Sequence, residues 1–473
     1  MVRRRHAQLE LAQVILFGFV LPEPEMLMEP WLRQVDKTLE DEEIVEAVMT
    51  VMRRRWRQSA RRGRAGTPAE VVLRMLVLKH LRRWSYDELE REVTGSLVYR
   101  RFCRIDAGKV PDAKTMVRWG QVVDGSTLRQ LLHRLVTVAA SAGVTKGKKM
   151  RVDTTVVEAP IHHPTDSGLC EDVIRVLSRA MRRLAQTGVD LGFKLCNVRR
   201  SVSHRMREIA QGLRRRGERA KRAIRKPYRR LLRITGRLVR QAERAAEQAR
   251  LHLPTMRGRR RGHVDKLATT IAAATKHGRQ VMRQTRARVL GAETRTPGKI
   301  VSIFEPWAQI IRKGKLHRPT EFGVVVKVQE AEGGIVTDIS VDDARADALL
   351  LVPAVEEHQR LFGRVPRTVA TDRGFFSRRG ERRLIDMGVK YPVLPRPGHR
   401  TTERVKYERQ RWFKRGRAWR AGGEARISRL KNTFGMQRSS YHGRAGVDRC
   451  IGWAAIANNL VAIGRFCAGR PSP

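Results

Sequence analysis

Residues 150–168 read MRVDTTVVEAPIHHPTDSG, and the fold turns on why an aspartate, Asp153, sits in what is otherwise the composition of a buried strand. Thr and Val crowd around it, and β-branched residues favour a pleated, half-buried chain. Pro160 ends the run, and two histidines, a second proline and Asp166 follow. A lone buried carboxylate is costly unless a cation or hydrogen-bond donors meet it. Asp153 therefore either marks the strand end or awaits a positive partner.

The rest of the chain favours the second reading. Its 473 residues leave room for two to four domains, and 41% apolar content is enough for real cores. Lys and Arg number 98 against 47 Asp and Glu, a formal charge of +51. Such an excess points to a polyanion, DNA or RNA before a membrane surface; an Arg-rich, GC-rich genome is the plainer source of part of it. The five cysteines are scattered with no C-x-x-C pair, which argues against a disulfide framework or a thiolate zinc site. The apolar stretch near the N-terminus is interrupted by Glu10 and Gln13 and lacks a small-residue cleavage site. A cytoplasmic, nucleoid-associated protein is expected.

Downstream of a lead-in and basic arm (1–66), residues 67–148 read as an all-α, helix-turn-helix-like DNA-binding module. Thr67, Pro68 and Glu70 predict a capped helix start, as do Ser85 with Glu88, then Asp112, then Ser126. Arg61, Arg62 and Arg64 of the arm and Arg118 of the module are candidate phosphate contacts. Residues 170–295 switch to long basic helices. Between 171 and 290 there are 34 Lys and Arg against 8 Asp and Glu, half of the chain's net charge. After Pro297 the period drops to two. Strands at 321–330 and 333–341 precede a helix at 346–363, a strand at 367–375, a helix, a strand at 390–395 and a last helix from about Gly423. With residues 149–169 these form a discontinuous α/β core, 149–169 and 296–465, interrupted by the basic insertion and followed by a tail, 466–473.

Three acids are candidates to converge. Asp153 lies in the first strand. Asp372 in VATDRGFFS lies where a strand ends and a Gly lets the chain turn, as functional groups do on α/β sheets. Glu424 in GGEARISRLKNTFGM opens an amphipathic helix, with Arg420 four residues before it and Lys431 two turns after. Arg373 follows Asp372 directly. Carboxylates suit Mg²⁺, and two such ions can activate the attacking oxygen and stabilise the leaving one in phosphoryl transfer. Taken singly, each acid also fits a strand polar residue, a turn former or a first-turn helix acid, and spacing alone does not prefer them to Asp338, Glu403 or Glu408.

The strings RVDTTVVEAPIHHPTDSGL, SIFEPWAQIIRKGK, EFGVVVKV, ATDRGFFS and GGEARISRLKNTFGMQRSSYHG, in this order, resemble bacterial insertion-sequence transposases of the DDE type, close to the ISNCY group. The resemblance runs from about residue 65 to 465. It implies an RNase H-like core with Asp153, Asp372 and Glu424 as a metal-binding catalytic triad, Mg²⁺ as cofactor (two ions, Mn²⁺ substituting), and Arg420 and Lys431 near the cleaved phosphate. Arg417 stands where the Tyr of the related Y-R-E-K signature falls. The implied partners are double-stranded DNA, as transposon ends and target, and further copies of the chain in a homodimer or higher oligomer. The rival readings are a DNA-binding protein without catalysis and a metal-dependent nuclease that only hydrolyses.

Overall fold

A computed structural model of the chain describes residues 27–55, 66–105, 108–291, 293, 295–312, 319–342 and 346–469. The arm residues Arg61, Arg62 and Arg64 lie outside the described residues. The chain divides into two compact units, residues 1–158 with 324–473, and residues 159–323.

Among the described residues, the N-terminal part of the first unit holds seven helices: α1 (Pro30–Thr38), α2 (Glu42–Arg54), α3 (Ala69–Arg82), α4 (Tyr86–Gly95), α5 (Leu97–Phe102), α6 (Ala113–Val122) and α7 (Gly125–Ser141). Two predicted caps hold. Ser85 and Glu88 form a reciprocal capping box on α4, and the Asp112 carboxylate accepts from the Thr115 amide on α6. Two do not. Helix α3 starts one residue later than predicted, with Pro68 at its cap and no side-chain cap bond. Glu70 instead turns inward to the buried Arg74, 3.0 Å away, because Arg74 is fully enclosed and needs anions. At α7 the cap is Asp124 rather than Ser126, since its carboxylate reaches the Thr127 amide at 2.8 Å.

A mixed sheet follows: β1 (Lys149–Glu158), β3 (Glu321–Ala331), β4 (Val336–Asp342), β5 (Thr368–Ala370) and β6 (Tyr391–Val393) lie in the order β4-β3-β1-β5-β6. Strands β3 and β4 are antiparallel, whereas β1, β5 and β6 run parallel. Helices α12 (Asp347–Phe362), α13 (Arg378–Asp386), α14 (Thr402–Arg409), α15 (Arg411–Asn432) and α16 (Arg444–Cys467) complete the unit. Alternation in β1 sorts its side chains between two faces. Met150 and Val152 join Leu351, Val355, Phe375 and Leu384 in a core under α12 and α13. Arg151 and Asp153 take the opposite face, where α15 packs on β1, β5 and β6.

The predicted last helix near Gly423 proves to be two helices, and the first of them starts at Arg411. Gly422 and Gly423 are not a break. They let α15 close on β1: a Cβ on Gly422 would lie 2.9 Å from Arg151 Nη1. Helix α16 is apolar all round and long enough to cross a membrane by length and composition, but 83% of its most apolar window is buried inside the fold. It packs against α1, α3, α7 and β4, as expected of a helix lacking a polar face.

The second unit holds α8 (Asp166–Ala185), α9 (Arg199–Leu213), α10 (Gly217–His252) and α11 (Gly258–Thr285) around one apolar core that includes Leu177, Met181, Leu231, Val239 and Ile271. It also holds β2 (Gln309–Ile311), antiparallel to Glu321–Gly323. Its boundaries, 159–323, are wider than the predicted 170–295 insertion, because residues 296–312 pack onto the same helices through Ile300 and Ile303.

Candidate active site

The first two acids each follow a registered strand pair. In the parallel β1–β5 ladder Arg151 pairs with Ala370. Asp153 and Asp372 each stand two residues further along the chain, Asp153 within β1 on the face of Arg151 and Asp372 just past the end of β5. Ala370 packs with Val393 and Phe413 on the α15 side, so the face of the Arg151–Ala370 pair is the one α15 covers. The end of β5 is fixed by Asp372 itself, whose Oδ1 accepts from the Gly374 amide at 2.9 Å. Asp153 Oδ1 likewise accepts from the Thr154 amide at 2.8 Å.

The third acid arrives on α15. Arg420 donates from Nη2 to Asp153 Oδ2 at 3.0 Å and from Nη1 to Glu424 Oε1 at 3.3 Å. One guanidinium thus bridges two acids that lie 271 positions apart. The Asp153 and Arg420 side chains are largely enclosed, at 20% and 24% exposure, while Glu424 is 73% exposed. The cation that meets Asp153 is thus supplied by α15.

Beneath the acids lies a buried polar relay that spacing did not reveal. Arg151 donates to Glu330 through Nε at 2.9 Å and Nη2 at 2.8 Å, and through Nη1 to the Trp419 carbonyl at 2.5 Å. Arg426 reaches the same Glu330 at 3.1 Å and Asn458 Oδ1 at 2.9 Å. Asn458 donates to the Gly334 carbonyl, and Asn459 exchanges two bonds with the Val336 backbone. Gly334 sits at φ +74° and a Cβ there would collide with the Arg426 guanidinium, so only glycine fits. The relay fixes α15, and hence Arg420 and Glu424, against β1 and the β3–β4 turn. The available signal was a charge, Arg151 and Glu330, within each of two valine-rich strands.

The other predicted contacts fall around this centre or away from it. Arg373 is exposed and follows Asp372; Lys431 is half-buried near the end of α15; Arg118 is exposed on α6. Asp347, not anticipated, approaches Asp372: a Cβ on Gly374 would lie 2.9 Å from Asp347 Oδ2 and 3.3 Å from Asp372 Oδ1. Glu408 is occupied by Arg400 and Arg404, and Asp338 by Lys327. His162 faces Asp172 at 3.4 Å and His163 stands edge-on to Phe322, which suits positioning roles. Trp307 donates to Glu305 at 2.6 Å and packs with Ala159 and Val301.

Among the described residues, the metal-type ligand atoms drawn within 4.8 Å of one another are those of His133, Asp338 and Glu357, not the three acids. That cluster already contains its cations, Lys327 on Asp338 and Arg360 on Glu357, and reads as an ion-pair network. The acids at β1, β5 and α15 fit hard divalent ions by donor type: they are carboxylates without thiolates. A guanidinium bridges two of them where positive charge is called for.

Residues 25–121 match the family model described as Transposase domain (DUF772). The match supports a transposase family. It spans α1–α5 and nearly all of α6, including Arg118, and a transposase domain points to DNA processing. A relative is the uncharacterized protein ORF8 in the nfe locus of Rhizobium meliloti, 26% identical over 154 residues that make up 31% of this chain and 73% of that protein. No solved structure matches the chain significantly.

Proposed function

We propose that the chain is a DDE-type DNA transposase of an insertion sequence, which binds terminal inverted repeats and carries out metal-dependent strand cleavage and strand transfer. The observation that carries this is the placement of Asp153 and Asp372 two residues beyond a registered pair on adjacent parallel strands, with Glu424 tied to Asp153 through Arg420. A sheet antiparallel on one side and parallel on the other supports an RNase H-like reading of the core.

Asp153, Asp372 and Glu424 would hold Mg²⁺, two ions with Mn²⁺ able to substitute, and these would supply activation of the attacking oxygen and stabilisation of the leaving one. The chain's own groups do the rest. Arg420, freed from its carboxylates, faces the scissile phosphate, and Arg373 and Lys431 add positive charge near it. The buried relay through Arg151 and Glu330 keeps α15 at a fixed distance from β1, and catalysis by positioning depends on that. Arg118 of α6 and the exposed arginines of the basic helices α8–α11 hold the DNA backbone, so affinity falls steeply with salt. Two ends joined in one assembly require a dimer or higher oligomer.

The test is a labelled duplex carrying the element's own end, incubated with the full chain. Retarded migration together with a nick at the end that needs Mg²⁺ and is abolished by chelation supports the reading. Retention without a nick under Mg²⁺ or Mn²⁺ leaves a DNA-binding protein without catalysis. Nicking without joining to a target leaves a nuclease.

A further inference from the structure

A second polar feature lies in the first unit, away from the acids. A cavity of about 690 Å³ is lined by Lys79, His80 and Arg83 at the end of α3, by Trp84, Tyr86 and Asp87, by Lys114 of α6, and by Phe434, Arg438 and Tyr441. Lys79 is the anomaly. Its side chain is enclosed, the residue being 8% exposed, yet no carboxylate pairs with it among the described residues. Its ammonium instead sits 4.7 Å from the Tyr86 ring and 5.6 Å from the Tyr441 ring. Burying a cation that way is expensive, and aromatic faces return only part of the cost.

Nothing else in the cavity repays it. The acid on its wall, Asp87, is exposed and records no ion pair to Lys79. Cys450 beside it is held neutral, its thiol pushed up to about 11 by burial. His80 is half-buried, stacks on Trp453 at 4.9 Å and contacts the Tyr441 hydroxyl at 2.9 Å. Three further cations, Arg83, Lys114 and Arg438, line the same space. Arg83 is set there by a left-handed backbone, φ +60°, and its guanidinium is anchored on the Asn432 carbonyl at 2.7 Å. Burial pulls the Lys79 ammonium down to about 8, which leaves it charged at neutral pH and short of an anion.

We propose that this cavity is a phosphate-binding site centred on Lys79, and that the phosphate it takes is carried by a nucleic-acid strand. Phosphate supplies several acceptor oxygens to converging donors, and the aromatic walls leave room for an attached nucleotide. The choice of a strand as carrier rests on the DNA reading above; the phosphate site does not. Free phosphate or a mononucleotide offers the same chemistry.

The experiment uses the full chain, wild type beside Lys79→Met and Lys114→Ala. Methionine keeps the apolar length and removes the charge, and Lys114 is exposed, so both variants fold. Thermal midpoints are read in inorganic phosphate and in chloride of equal ionic strength, and duplex affinity is read across salt. The expected result has four parts: Lys79→Met melts no lower than wild type in chloride, phosphate raises the wild-type midpoint beyond that of either variant, Lys79→Met binds every duplex sequence more weakly, and its salt slope falls by about 0.9. Phosphate protection confined to wild type with unchanged duplex affinity keeps the site but overturns the strand as its carrier. Equal phosphate response in all three proteins, or a lower Lys79→Met midpoint in chloride, overturns the site. Failure of all three to bind duplex while phosphate still protects wild type defeats the DNA reading and not the phosphate site.

Discussion

Arg420 and Asp153, 267 residues apart, are joined at 3.0 Å, and the same guanidinium reaches Glu424. The helix that brings the third acid therefore also brings the cation that satisfies the first.

Removing that guanidinium should make the carboxylates hungrier for metal. Arg420→Ala is expected to bind Mn²⁺ more tightly than wild type, by about fivefold at most, the worth of a partly exposed ion pair of up to about 1 kcal/mol. Calorimetric titration in the absence of DNA reads this. Weaker or unchanged Mn²⁺ binding in Arg420→Ala would mean that the pair does not share its acids with a cation site.

The buried relay should be costly to break. Glu330 is 3% exposed and serves Arg151 and Arg426 together. Glu330→Gln leaves two enclosed guanidinium groups short of charge, and a broken buried pair costs about 3–5 kcal/mol. A drop of that order in chemical unfolding is expected, with end cleavage lost as α15 shifts. A change below about 1 kcal/mol would show that the relay does not hold the helix.

Acidification should weaken the fold above the carboxylate range. Burial lowers the proton affinity of His80, His133, His277 and His358, so all four are neutral in the folded chain and take up protons on unfolding. Stability is then lost as pH falls through the unfolded value of about 6.5. Asp166, whose carboxyl burial raises, works the opposite way as one group against four. The thermal midpoint should fall between about pH 7 and pH 5; a flat profile there contradicts the account.

Much of this architecture could be read locally. The strands expected at 321–330 and 333–341 are β3 and β4 (Glu321–Ala331 and Val336–Asp342), and the helix expected at 346–363 is α12 (Asp347–Phe362). Alternating β-branched residues and a Gly-Gly turn are signals carried within a few positions. The extent of helix α15 is hidden from its sequence for the complementary reason. Gly422 and Gly423 look like punctuation, and the feature that demands them, Arg151 pressed against the helix, is 271 and 272 positions away. Asp153 is selectable as an acid within a strand and Asp372 as an acid ending one, but the bridge through Arg420 and the approach of Asp347 are facts of tertiary contact that one strand's sequence does not carry. Glu70 shows the same limit: it fits a capping box by spacing, and a buried arginine claims it.

The most direct test of the central claim compares wild type with Asp153→Asn, Asp372→Ala and Glu424→Ala on a labelled duplex carrying the element's end, in Mg²⁺ and in Mn²⁺. The account predicts that wild type nicks the end while each variant binds the duplex with near wild-type affinity and does not cut. Cleavage by any of the three variants at the wild-type rate, or no cleavage by wild type in either metal despite tight binding, would contradict it.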